Sequence, residues 1–227
     1  NSGKMKIVSF TMVNNESEII ESFIRYNYNF VDEMVIIDNG CTDSTIKIVN
    51  NLKMEGFKVT IYDESLEAYN QYRLDNKYLK KIIDEIEPDL IIPLDADEFL
   101  TGTENPREQL ERLSLDRIYY VTWKWYVMTR SDNPQEPFIP KRMRYHLAET
   151  VWNYADHTPV TKTIIPARYF KEMGLTLSMG HHTVFGNNDV KTELLQNLQL
   201  AHYRAISEHQ LIYKTCCYTI REIATME

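Results

Sequence analysis

Two hydrophobic periods alternate along the first hundred residues. Lys6–Val13 is an apolar-rich run of strand length, and Ile19, Ile20, Phe23, Ile24 and Tyr28 then recur at helical spacing. Met34–Ile37 predicts a second strand. It runs into Asp38-Asn39-Gly40-Cys41-Thr42-Asp43-Ser44-Thr45, a turn-rich stretch that supplies a cap for a helix over Ile46–Met54, closed by Gly56. Lys58–Tyr62 predicts a third strand and Ala68–Ile86 a long helix stopped by Pro88. Leu90–Leu94 is apolar throughout, as a strand covered on both faces is. This β-α-β-α-β-α-β order, with connections too long for hairpins, predicts an α/β fold with a parallel, doubly wound sheet. In such a sheet the first and fourth strands become neighbours where the strand order reverses.

The second half has a different rhythm. A short helix is expected over Asn105–Leu113, followed by Ile118–Val127, an aromatic and strongly β-prone run. Arg130–Arg144 reads as a proline-punctuated loop carrying Arg130, Lys141, Arg142 and Arg144. Thr161–Ile165 and Leu175–Met179 are short strand candidates, and Gly180-His181-His182-Thr183 follows the second. Asn197–Tyr203 leads into Ser207-Glu208-His209-Gln210, a capped start for a last helix through Arg221. There is no internal repeat, low-complexity tract or linker, so residues 6–227 are expected to form one domain. Residues 1–5 read as a cloning remnant followed by the start at Met5.

Composition narrows the partners. The 227-residue chain is long enough for a full core, and its net charge of −8 makes it a poor binder of nucleic acid, whose phosphates need Lys and Arg. Its three cysteines, two of them adjacent, are no disulfide framework and point to a reducing, cytoplasmic compartment. No run of about 18 apolar residues predicts a transmembrane helix, and no signal peptide is visible.

The chemistry gathers at Asp95-Ala96-Asp97-Glu98, immediately after the fourth strand. In open α/β sheets ligands bind at the carboxyl ends of strands, so Asp95 and Asp97 can approach one ligand if the chain turns there. Hard divalent cations prefer oxygen ligands, and Mg2+ takes one or two carboxylates plus substrate phosphates. A carboxylate clamp for a metal carrying a phosphorylated substrate follows. The competing reading is a helix cap or a solvated turn.

Strand, Asn15-Glu16, helix, strand, Asp38 to Thr45, and an apolar strand into Asp95-Ala96-Asp97-Glu98-Phe99 together resemble family 2 glycosyltransferases of the GT-A fold. The likeness covers roughly residues 6 to 100. It continues more thinly through Gly180–Thr183 and Ala201–Gln210, similar to a bacterial branch with a later His-His and a His-Tyr-Arg. It implies a GT-A, Rossmann-like sheet with helices on both faces. Residues 6–100 would be its nucleotide-sugar half, and 101–227 a smaller mixed sheet and last helix on the acceptor side.

The resemblance also implies a metal-dependent, inverting transfer of a sugar from a nucleoside diphosphate, UDP by preference, to a glycan or lipid-linked acceptor, with Mn2+ or Mg2+ as cofactor. Peripheral association with the inner face of the membrane would fit such an acceptor. Asp97 matches the metal-binding end of the motif and Asp95 the position near the ribose and metal-bound water. Asp38 matches the acid that accepts a hydrogen bond from the base. Asn15 and Glu16 lie in the loop approaching the nucleotide, Arg73 is placed to contact base or diphosphate, and His202 to complete the metal shell. The family's Glu-Asp pair and Gln-x-x-Arg-Trp are missing. Candidates for the base are then Glu149, Asp156, His181 and Asp189, with Glu149 and His181 preferred. His181 and His182 could each face acceptor or metal. A nucleotidyltransferase acting on sugar phosphates would carry a basic, glycine-rich loop after the first strand, which Asn14–Ser17 is not. A non-catalytic carbohydrate-binding descendant would be favoured by loss of Asp95 or Asp97, and both are present.

Overall fold

The computed structural model describes residues 4–148, 152 and 156–225. Its first half runs β1 (Ile7–Val13), α1 (Ile20–Asn27), β2 (Glu33–Asp38), α2 (Thr45–Met54), β3 (Val59–Asp63), α3 (Gln71–Glu85), β4 (Leu90–Pro93) and β5 (Glu98–Gly102). The second half contributes α4 (Pro106–Glu111), β6 (Ile118–Trp125), α5 (Ile139–Arg142), β7 (Thr161–Pro166), α6 (Ala167–Glu172), β8 (Thr176–Leu177), β9 (Val184–Phe185), β10 (Thr192–His202) and α7 (Glu208–Thr225).

One eight-stranded sheet has the order β3-β2-β1-β4-β7-β6-β10-β5, and β8 and β9 form a separate pair. β1 pairs in parallel with β2 on one side and with β4 on the other. The chain therefore reverses its winding between β1 and β4, as the element order predicts. Mixed strands follow: β7 is antiparallel to β4 and β6, β6 is parallel to β10, and β10 is antiparallel to β5. The expected architecture, a mostly parallel α/β sheet with helices on both faces and mixed strands beyond β4, is the one found.

Side-chain alternation explains the two layers. Ile7 and Val13 of β1 join a core with Phe23 and Ile24 of α1 and Val49 and Leu52 of α2. Val8 and Phe10 point the other way, into a core with Leu74, Leu79 and Ile82 of α3 and Phe170 of α6. A strand buried on both faces needs apolar residues at every position, which is what β4 has.

Three boundaries differ from expectation for local reasons. α3 starts at Gln71 rather than Ala68, because the Asn70 side chain accepts from the Arg73 backbone N–H at 3.0 Å and caps the helix there. α5 adds one turn within the stretch read as loop. β10 is 11 residues long instead of beginning near Asn197; its outer half is solvent-facing and shows no apolar alternation. β5, unpredicted, is fixed by Asn27. This buried side chain donates to the Glu98 carbonyl at 3.0 Å and accepts from the Leu100 N–H at 3.0 Å, bolting α1 to the strand that leaves the acidic turn.

Candidate active site

The acidic motif is a tight turn between β4 and β5. Glu98 closes it: its backbone N–H donates to the Asp95 carbonyl at 3.0 Å, and its Oε1 accepts from the Asp95 N–H at 2.7 Å. Its Oε2 accepts from Trp123 Nε1 at 2.6 Å. The turn puts Asp95 and Asp97 on the floor of a cleft of about 1610 Å³. The ends of β1 and β2, the start of α3, the β6 tryptophans and the inner face of α7 wall it, through residues including Asn14, Asn39, Tyr69, Trp123, Trp125 and Tyr213.

Each aspartate has its own cation. Lys162, from β7, is wholly buried, with Nζ at 2.8 Å from Asp95 Oδ2, 3.4 Å from Glu98 Oε1 and 2.6 Å from the Gly180 carbonyl. Burial works against charge on Asp95, but Lys162 and His181 outweigh it and hold the carboxyl below its usual range. Burial prevails at Glu98, raising its pKa despite Lys162. Lys214, from α7, stands 3.1 Å from Asp97 Oδ2 and 3.7 Å from Glu16 Oε1. Burial would push Asp97 up too, yet Lys214 and His202 keep it far down. Glu16 goes the other way, raised by burial to about 7 against the pull of Lys214.

Two groups of ligand atoms compete for the role of metal site. Among the described residues, Asp95, Glu98 and His181 bring ligand atoms within 4.8 Å of one another, but the Lys162 ammonium is already paired with two of the three carboxylate and imidazole groups, Asp95 and Glu98, so the trio fits a metal poorly. Asp97 and His202 do fit. Asp97 Oδ1 is buried with no hydrogen-bond partner, and His202 Nε2 lies 3.4 Å from it on the cleft wall. His202 is the last residue of β10, paired with Glu98 across the sheet, and its ring stacks on Trp123 at 4.3 Å. Burial opposes charge on His202, but Asp97 outweighs it and raises the pKa, so a divalent cation such as Mn2+ would take this oxygen and nitrogen by displacing the proton the empty site favours.

The remaining expected residues lie as follows. Glu16 lines the cleft. Asn15 does not line the cleft but a smaller neighbouring pocket; it has a left-handed conformation (φ 56°), accepts from the Thr42 and Asp43 N–H groups and donates to the Tyr213 hydroxyl at 2.8 Å. Asp38 accepts from the Cys41 N–H at 2.8 Å, shaping the loop whose Asn39 reaches the cleft. Arg73, expected near base or diphosphate, is instead held by Glu67 at 2.5 Å on the exposed side of α3. His181, expected to face acceptor or metal as a base, is fully buried beneath Asp95. Its Nε2 meets Asp75 Oδ2 at 2.7 Å, and its ring packs edge-on against Phe10. No face of it is open to an acceptor. Asp156 turns onto Thr158, and Asp189 is exposed away from the cleft. Glu149 lies outside the described residues.

Nothing in the sequence marked Lys162 or Lys214, and His182 could face acceptor or metal. His182 lines the cleft. Its Nδ1 lies 2.9 Å from the Thr161 carbonyl, so Nδ1 carries the proton and Nε2 keeps its lone pair. Burial, aided by Lys162, lowers its pKa and keeps the ring neutral. Gly180, in a left-handed conformation (φ 76°), leaves the space this ring uses: a Cβ there would stand 2.7 Å from Nε2.

No protein-family model matches the chain, and no curated protein is significantly similar to it. Among solved structures it is similar to a mannosyltransferase from Pyrobaculum calidifontis, in complex with GDP-Man and Mn2+. That match is 13% identical, covers 84% of this chain and 57% of the other, and has a TM-score of 0.47. A second is glucosyl-3-phosphoglycerate synthase from Mycobacterium tuberculosis with Mg2+ and uridine diphosphate, at 18% identity, 53% and 44% coverage and a TM-score of 0.38. The chain spans about half the length of these structures. Likeness at this level says nothing of the site's chemistry, which its own atoms carry. Among the described residues, no helix is long and apolar enough to cross a membrane.

Proposed function

We propose that this chain is a glycosyltransferase that moves a sugar from a nucleoside diphosphate, UDP by preference, to a hydroxyl of a glycan or lipid-linked acceptor. The observation that carries the reading is the pairing of unsatisfied Asp97 Oδ1 with His202 Nε2 at the β1/β4 switch point, on the floor of a two-sided cleft. The cleft is larger than one small ligand needs. Its β1/α3/α7 side suits a nucleotide, and its Trp125 and Trp152 side suits the faces of sugar rings.

Asp97 and His202 would hold the divalent cation, which supplies charge neutralisation for the departing diphosphate. In the transfer, the bond from the anomeric carbon to the β-phosphate oxygen breaks and its electron pair leaves with the diphosphate. The acceptor oxygen forms the new bond, and its proton passes to a base. His182 is the base the geometry favours: it is neutral, its Nδ1–H is anchored and its Nε2 is free to accept. One direct displacement, with the acceptor oxygen entering opposite the departing diphosphate, gives inversion. Lys162 and Glu98 fix Asp95 so that its carboxylate faces the cleft with no rearrangement on binding.

The test is a panel of UDP- and GDP-sugars incubated with Mn2+, with nucleoside diphosphate release measured with and without carbohydrate acceptors. Release from one donor, stopped by EDTA and restored by Mn2+, is expected. A panel with neither release nor a thermal shift for any donor would remove the proposal.

A further inference from the structure

The ammonium groups on the two aspartates are not equivalent. Lys162 is spent: an ammonium has three donors, and three acceptors surround it within 3.4 Å, in a side chain 1% exposed. Among the described residues Lys214 makes a single hydrogen bond, to Asp97 Oδ2, and its contact with Glu16 at 3.7 Å is too long for a second. Its side chain is 19% exposed and lines the cleft. It reaches Asp97 from α7, and the neighbouring residue fastens that helix to the loop after β1. The Tyr213 hydroxyl donates to Asn14 Oδ1 at 3.1 Å and accepts from Asn15 Nδ2 at 2.8 Å. A cation with donors to spare is thus held over the carboxylate that fits a metal, on the nucleotide side of the cleft.

We propose that Lys214 is a diphosphate-binding catalytic residue delivered by the C-terminal helix: it neutralises Asp97 while the cleft is empty and turns its free donors to the diphosphate when donor and metal enter. This rests on the reading that the cleft takes a nucleoside diphosphate. In the transfer step above, Lys214 shares the charge that arrives on the β-phosphate oxygen as its bond to the anomeric carbon breaks.

The role has a consequence of two signs. In the empty protein Lys214 competes with a metal for Asp97; with donor present it adds a charged contact. Lys214→Met keeps the stem and removes the charge. Calorimetric titration of this variant should show Mn2+ alone binding more tightly than to wild type, by at least the roughly two- to fivefold of a screened ion pair, since this one is mostly buried. UDP in saturating Mn2+ should bind about 10- to 100-fold more weakly, the scale of one hydrogen bond to a charged group. Lys214→Arg should retain most of the UDP affinity, and thermal melts of all three forms check that α7 stays packed. A lysine that merely anchors α7 would weaken Mn2+ and UDP together, and that result overturns the proposal, as does UDP affinity unchanged within twofold. If wild type binds neither UDP nor GDP with Mn2+, the diphosphate reading falls first and this inference with it.

Discussion

Replacing Lys162 by Met probes the frame on which the acidic turn rests. The stem volume is kept, so a cavity is not the cause of any loss. The charge lost is the one facing Asp95 Oδ2 at 2.8 Å and Glu98 Oε1 at 3.4 Å. At an effective dielectric of about 20, a unit pair at the shorter distance attracts by about 6 kcal/mol before desolvation is set against it. The Asp95 side chain is 36% exposed to the cleft, so solvent screens its share, whereas Glu98 is fully buried and bears most of the effect. Removing one partner of a buried pair costs roughly 3–5 kcal/mol, and the screening of Asp95 places this variant near about 3 kcal/mol. Urea denaturation at pH 8 measures it.

The loss also depends on pH. Burial already raises the Glu98 carboxyl in the wild type, and without Lys162 it rises further. A carboxyl whose folded pKa exceeds its unfolded one binds a proton on folding. Its stability is intact below the unfolded value and is lost as pH climbs through the folded one. The deficit of the variant is therefore smaller at pH 5 than at pH 8. A loss under about 1 kcal/mol at pH 8, or the same loss at both pH values, would refute the reasoning.

Asn27→Ala strands the Glu98 carbonyl and the Leu100 N–H, each buried, and is expected to cost roughly 2–4 kcal/mol in urea melts; a loss under about 1 kcal/mol would mean β5 is held by other means. His182→Gln should lower the transfer rate about 10²- to 10⁴-fold while leaving UDP affinity in place, read by steady-state kinetics and titration side by side. In the wild type at saturating Mn2+, the acid limb of kcat/KM that His182→Gln removes should lie below the ordinary imidazole value of 6.5, because burial and Lys162 hold the ring neutral to lower pH, whereas Glu16 and His202 are raised; a limb above 6.5 that disappears in His182→Gln contradicts His182 as the base.

The parallel half of the fold was legible because burial dictates it. Leu90–Leu94, short and ended by Pro93, reads as a strand covered on both faces, and the recurrence of Phe23, Ile24 and Tyr28 as one buried face of a helix. Once the order of those elements is known, the β1/β4 switch point follows, and with it the setting of Asp95 and Asp97. His202 was reachable from its place before the last helix. The cations were not. Lys162 stands between two threonines in Thr161–Thr163 and looks like an ordinary outward residue. Only the tertiary fold sets Asp95 and Glu98 opposite it. Lys214 belongs to an inner stripe of α7, Gln210, Tyr213, Lys214 and Cys217, whose polar character marks a helix face turned to a cleft rather than to a core. The two adjacent histidines look alike in sequence, yet the left-handed Gly180 before them sends His181 into the core against Asp75 and leaves His182 facing the cleft.

Crystals soaked with Mn2+ and UDP, with diffraction recorded to detect the anomalous scattering of manganese, test the central claim most directly. One peak is expected within bonding distance of Asp97 Oδ1 and His202 Nε2, touching the diphosphate. A peak among Asp95, Glu98 and His181 instead, or ordered UDP with no manganese beside Asp97, would contradict it.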